Sequence, residues 1–178
     1  MQGGGEGTHD SWDHKLVASL RNELGDTYEI RYPRMPDEGS PHPSPWKKAI
    51  DRELAQAHGR VILVGHSIGG AIALDHLSDP EVAERVDGVF LIATPFIGEG
   101  GWPSDQLRPT RELARTLPPT LAVHIYQGSA DDTVPPAHAD LLAATLPNVT
   151  VHRLEGRNHQ LGDDLTEVAR DIRAMEGR

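Results

Sequence analysis

Residues 60–70 read RVILVGHSIGG, an apolar run that breaks into Gly65-His66-Ser67-Ile68-Gly69-Gly70. Small and apolar residues then continue with helical spacing to about residue 77. This is the pattern of a buried strand, a tight turn and a helix. A serine flanked by glycines suits a sharp bend in which the strand and helix backbones pass too close for side chains. Such a bend lifts the hydroxyl above the carboxyl edge of a sheet. It also sets the serine at a helix N-terminus, where free N–H groups favour developing negative charge. The five residues alone could form a plain capped turn. The strand before them and the helix after them are the context that a nucleophile requires.

Working outward, apolar runs at 28–32, 88–93, 121–126 and 149–154 read as strands beside 60–64. Helical spacing occupies 10–24, 45–58, 67–77, 108–117, 137–146 and 163–175. In the first of these, Trp12, Leu16, Leu20 and Leu24 share one face. Ser44 and Pro45 suit the N-cap and first position of the second. Strand alternating with helix predicts an α/β fold, with a mostly parallel, doubly wound sheet flanked by helices. No repeat or low-complexity linker divides the chain, so residues 1–178 are expected to form one domain. Two long loops, 33–45 and 94–110, are rich in Pro or Gly and are candidate rims of a ligand site.

Composition narrows the function. Lys and Arg total 17 against 27 Asp and Glu, a formal net charge of -10. That balance argues against nucleic acid or an anionic membrane as partner. The chain has no cysteine, which excludes disulfides, thiolate metal sites and a cysteine nucleophile. No apolar run approaches the ~20 residues of a membrane span. The opening MQGGGEGTHD has neither the basic flank nor the apolar stretch of a signal peptide, so the expected location is cytoplasmic.

A serine nucleophile needs a base held by an acid, and for this turn type the chain order is Ser, Asp, His. After the run at 121–126 comes Gly128-Ser129-Ala130-Asp131-Asp132-Thr133-Val134-Pro135. Either aspartate stands where the carboxyl end of a strand could deliver it to the site. After 149–154 comes Glu155-Gly156-Arg157-Asn158-His159-Gln160. His159 is the histidine that follows both the aspartates and a strand end; His152 lies inside a strand and His138 opens a helix. For the oxyanion, the Ile68 N–H follows the serine directly. A second donor is expected from Gly3-Gly4-Gly5-Glu6-Gly7, whose glycines let N–H groups face a ligand.

The set QGGGEG, GHSIGG, GSADDTVPP and GRNHQL resembles the α/β-hydrolase superfamily. The size resembles its small, lid-less serine hydrolases, the group similar to the retinoblastoma-binding serine hydrolase and its bacterial relatives. The resemblance implies Ser67 as nucleophile, Asp131 rather than Asp132 as acid, and His159 as base. It implies Ile68 and Gly4 as oxyanion donors, with no metal or organic cofactor. The implied activity is hydrolysis of a carboxylic ester or related small acyl compound. Acyl transfer, peptide cleavage or perhydrolysis on the same triad, and a non-catalytic binding protein of the same fold, are the alternatives. Residues 94–120 leave no room for a large lid. His66, Phe96, Ile97 and Trp102 are expected to contact the substrate, while Trp12 is expected to pack in the core. One departure stands out. Related chains run a central strand into the glycine loop, whereas only Met1 and Gln2 precede Gly3 here. The first central strand is therefore expected to be missing, either by truncation or because the sheet closes without it. Its absence would leave two neighbours with unpaired backbone groups.

Overall fold

The computed structural model describes residues 1–175. Its elements run α1 (His14–Leu24), α2 (Pro43–Gln56), β1 (Ile62–His66), α3 (Ile68–Leu77), α4 (Pro80–Ala83), β2 (Gly88–Ile92), α5 (Thr110–Leu113), β3 (Ala122–Gly128), α6 (Ala137–Thr145), β4 (Val149–Leu154) and α7 (Thr166–Met175). A π-helical turn, Thr8–Asp13, leads into α1. The four strands form one parallel sheet in the order β1-β2-β3-β4.

The two sides of β2 show how the sheet is covered. Val89 and Leu91 point to one face and meet Ile50 and Leu54 of α2, Leu74 and Leu77 of α3, and Leu142 of α6. Phe90 and Ile92 point to the other and meet Leu16, Leu20 and Leu24 of α1 with Val168 and Ile172 of α7. Successive strand residues alternate faces, so a strand with helices on both sides must be apolar throughout. All five residues of β2 are buried. In α1 the leucines recur every four residues, which places them on one stripe against the sheet. A third cluster gathers Met35, Trp46, Ala49, Ile72, Ile97 and Leu107 beneath the two long loops. Asp75, buried in α3, is held by Lys47 of α2 at 2.5 Å and by the Arg108 guanidinium at 2.7 Å, so charge pairing joins α2, α3 and the loop before α5.

Several expectations are corrected. Residues 28–32 form no strand. A strand exists only through a neighbour, and no described residue lies where that neighbour would pair. As expected, no strand precedes β1 among the described residues; on the outer edge of β1 the Met1 carbonyl accepts the His66 N–H at 3.1 Å. Trp12 is 54% exposed instead of sharing the leucine face. The π-helical turn holds more residues per turn than an α-helix and rotates Trp12 off the stripe. The helix expected at 45–58 begins earlier, with Pro43 and not Pro45 in its first position, and His42 as N-cap. The helix expected at 108–117 is the single turn α5. There the Thr116 hydroxyl donates to the Leu113 carbonyl at 2.9 Å, closing the end.

Trp46 is fully buried, and its indole N–H donates to the Pro36 carbonyl at 2.7 Å. It therefore fastens the loop between residues 33 and 45 to α2. Trp46→Ala should lower unfolding free energy by about 3–5 kcal/mol, measured by urea denaturation at neutral pH. A loss below 1 kcal/mol would show that the loop is held by something else.

Candidate active site

Ser67 sits at the junction of β1 and α3 with φ 52° and ψ −131°, a strained backbone for a residue with a side chain. The strain is fixed from both directions. The Ser67 N–H donates to the Ile92 carbonyl at 2.8 Å, and the Ser67 carbonyl accepts the Gly70 N–H at 3.0 Å. The glycines around it answer to crowding. A Cβ on Gly65 would stand 2.6 Å from the Gly70 Cα, and one on Gly69 would run into the Gln2 carbonyl. Ile68 is the first residue of α3, so its N–H has no partner within the helix.

His159 lies in the loop after β4, and Asp131 in the loop after β3. The His159 Nδ1 is 2.9 Å and 3.1 Å from the two Asp131 carboxylate oxygens. Asp131 is buried, and every partner it has is a donor. The Thr133 and Val134 N–H groups reach Oδ1 at 2.9 Å each, and the Gln127 amide reaches Oδ2 at 2.9 Å. Burial opposes ionisation, but the bonds from His159, Val134 and Gln127 outweigh it and hold the carboxyl below the usual aspartate range. Asp132, by contrast, is exposed. The His159 ring stands 4.7 Å, centroid to centroid, from the ring of His66, the residue just before Ser67.

The glycine loop packs on the serine turn. A Cβ on Gly3 would lie 3.2 Å from the Ser67 Cβ, and one on Gly4 would lie 3.0 Å from the Ile68 Cγ2. The Gly3 N–H is taken by Asp13 at 2.7 Å, and the Gly5 N–H by the Glu38 carbonyl at 2.7 Å. Between them, no hydrogen bond among the described residues claims the Gly4 N–H. The Glu38 carboxylate also accepts the Gly7 and His9 N–H groups at 3.1 Å and 2.9 Å.

A family model described as serine hydrolase matches residues 6–161. The chain belongs to that family. Solved structures agree on the fold. The esterase domain of a Rhodothermus marinus protein is 19% identical with a TM-score of 0.67, covering 94% of this chain and 81% of that one. A monoacylglycerol lipase from Paleococcus ferrophilus is 14% identical with a TM-score of 0.65, covering 97% and 89%. An α/β serine hydrolase without a lid from Xanthomonas campestris is 18% identical with a TM-score of 0.59, covering 90% and 71%. A search of curated proteins found no match.

Within this serine hydrolase, a second carboxylate–imidazole pair escaped the sequence reading. Asp13, buried, accepts the Gly3 N–H, the Gln160 amide at 3.2 Å and a bond from the His66 Nδ1 at 2.9 Å. Burial raises the Asp13 pKa, but the His66 bond and charge and the Gly3 N–H bring it below the ordinary value. The other His66 nitrogen bonds the His159 carbonyl at 3.1 Å. Asp13 and His66 thus tie the glycine loop, the serine turn and the histidine loop together. No sequence motif announces Asp13; only its place beside Gly3 in the fold reveals it.

The expected substrate contacts fare differently. His66 is buried with both ring nitrogens engaged, so it braces the site instead of facing a ligand. Phe96 is fully buried and Ile97 nearly so, both in the hydrophobic core, which removes them from contact with a ligand. Trp102 is half-buried, its ring 5.9 Å from that of His138. His138 accepts the Phe96 N–H at 2.9 Å through Nδ1, and burial lowers its pKa. One group among the described residues has metal-ligand chemistry: His124, His152 and Asp171, with one ligand atom each within 4.8 Å of the others. It lies on β3, β4 and α7, away from the loops that carry the site. The two imidazoles stack at 15° between ring planes, with centroids 5.9 Å apart.

The lowered pKa of Asp131 sets a pH dependence. Its stabilising contribution is complete above the ordinary aspartate value of about 3.9 and is lost as pH falls through the lower native value. Asp131→Asn should lower stability at pH 7 by about 1–3 kcal/mol and flatten the acid limb of the stability curve. Urea midpoints measured from neutral to strongly acidic pH check both effects. Parallel curves for the two proteins would contradict the assignment.

Proposed function

We propose that this serine hydrolase cleaves carboxylic esters or related small acyl compounds, with Ser67 as nucleophile, His159 as base and Asp131 as acid. One observation carries the reading. The His159 Nδ1 is held 2.9 Å from a buried, fully bonded carboxylate, which leaves Nε2 as the nitrogen to take a proton. An imidazole oriented in this way is a general base with its tautomer fixed.

In this mechanism the Ser67 hydroxyl attacks the acyl carbonyl while His159 takes its proton. The Ile68 and Gly4 N–H groups receive the oxyanion, each worth about 10²–10³ in rate. His159 then gives the proton to the leaving alcohol, and the acyl group remains on Ser67. Water, deprotonated by His159, attacks the acyl carbon; the bond to the Ser67 Oγ breaks, His159 returns the proton to that oxygen, and the acid product leaves. Asp131 stays ionised throughout and stabilises the imidazolium that forms twice per turnover. Trp102 is the one expected substrate contact that keeps an exposed surface, and it is proposed to border the acyl site.

A fluorophosphonate probe should label the parent protein at Ser67, and Ser67→Ala should abolish labelling. With p-nitrophenyl acetate, Asp131→Asn should lower kcat/KM by about 10³–10⁴, while Asp132→Asn should stay within about 3-fold of the parent, as expected of an exposed residue outside the site. Failure of the folded parent protein to label would overturn the reading. Loss of activity in Asp132→Asn alone would overturn the choice of acid.

A further inference from the structure

Asp13 closes the π-helical turn before α1 and is 2% exposed. Its carboxylate collects donors on both oxygens. Oδ2 takes the Gly3 N–H at 2.7 Å and the His66 Nδ1 at 2.9 Å, and Oδ1 takes the Gln160 amide at 3.2 Å. With donors aimed at both oxygens, the group is an ionised acceptor. A fold that needed only packing at this point would carry an apolar residue, because a buried ion pair adds little stability over apolar side chains of similar volume.

The charge of the neighbouring ring follows from the same bonds. His66 is 4% exposed, and its Nε2 lies 3.1 Å from the His159 carbonyl oxygen. That oxygen has no hydrogen to give, and neither has the Asp13 carboxylate, so each ring nitrogen must be the donor. A neutral imidazole has one N–H and would turn a lone pair toward one of these oxygens. With hydrogen on both nitrogens, His66 is an imidazolium paired with Asp13, one residue before Ser67.

This ion pair touches every part of the proposed site. A Cβ on Gly3 would stand 3.1 Å from the His66 Nδ1, so the glycine loop lies against the imidazole. The Asp13 bond to Gly3 fixes the residue next to Gly4. The His66 bond to the His159 carbonyl fixes the backbone that carries the base. The two imidazoles stand 4.7 Å apart, centroid to centroid. When His159 takes the serine proton, two positive rings face each other. Each then has its own carboxylate, Asp13 for His66 and Asp131 for His159.

We propose that Asp13 is a positioning residue for the chemistry at Ser67, acting through a His66 imidazolium that holds the His159 loop and the glycine loop in their working places. This role rests on the triad reading, whereas the charge of His66 does not. Asp13→Asn separates charge from shape. The amide has the size of the carboxylate, and its oxygen keeps the Gly3 and His66 bonds. Its NH2 group meets Gln160, whose Oε1 is buried with no hydrogen-bond partner among the described residues and accepts once the Gln160 amide turns over. The contacts of residue 13 survive, and the charge that retains the second hydrogen on His66 is gone. Nε2 then turns a lone pair to the His159 carbonyl and releases the base.

Magnetic resonance of protein labelled with nitrogen-15 at histidine reads the charge. At neutral pH the parent should carry hydrogen on both ring nitrogens of His66, and Asp13→Asn on Nδ1 alone. With p-nitrophenyl acetate, Asp13→Asn should lower kcat by about 10²-fold, the cost of displacing a reacting group by about 1 Å, with KM within about 3-fold of the parent. The double variant Asp13→Leu/His66→Phe replaces the ion pair by apolar side chains. It should show the same loss of kcat with a urea midpoint no lower than the parent's, which a merely structural role would not produce. It also decides the matter should Asp13→Asn fail to fold. A single N–H on His66 in the parent overturns the proposal, as does parental kcat in either folded variant or a loss confined to KM. Failure of the folded parent to label with fluorophosphonate strikes the triad reading and the positioning role with it. A labelled parent with one hydrogen on His66 strikes this proposal alone.

Discussion

The close approach of β1 and α3 at the Ser67 turn is the constraint on which the rest of the structure depends. The Gly65 Cα faces the Gly70 backbone at a distance that admits no side chain, and the Gly69 Cα faces the Gln2 carbonyl. Because these backbones touch, Ser67 is forced to φ 52° and its hydroxyl is presented at the start of α3. The same contact brings the residues before the glycine loop against the turn. Nucleophile and oxyanion donors are therefore proposed to share one packing event. The strain in Ser67 persists because Ile92 and Gly70 hold its N–H and carbonyl.

Around that contact, buried charge is compensated with donors. Asp131 collects two backbone N–H groups, an amide and an imidazole; Asp13 collects a backbone N–H, an amide and an imidazole. A buried carboxylate costs several kcal/mol unless its lone pairs are satisfied. Each of these aspartates therefore fixes the loops that supply its donors. Asp131 orders the turn after β3 and the His159 loop, and Asp13 orders the glycine loop, His66 and Gln160. Through the His66 bond to the His159 carbonyl, the two carboxylate systems are in contact. The geometry of the site is thus maintained by electrostatics in a low-dielectric setting, while the sheet below it is maintained by apolar burial.

Most of the framework was legible in the sequence. Apolar runs of five or six residues found β1 to β4, because strands buried on both faces leave that mark, and four-residue leucine spacing found α1. The choice of Asp131 over Asp132 rests on a family spacing; in the fold Asp131 is buried and Asp132 exposed. Misreadings came where a residue's fate depended on a distant partner. Residues 28–32 have the composition of a strand, but they join no sheet among the described residues. Trp12 has the spacing of a buried residue, yet a π-helical turn moves it outward. Phe96 and Ile97 lie in a loop typical of ligand rims, but they fold back into the core.

The sequence by itself determined the alternation of strand and helix, the glycine-flanked serine turn and the order of serine, aspartate and histidine. These follow from local sterics and from periodic burial, which act over a few residues. Only the tertiary structure decided that Asp13 braces His66 and that Glu38 grips the glycine loop across 31 residues to Gly7. Those features are hydrogen bonds between segments far apart in the chain. Their energy depends on distances that no local pattern encodes.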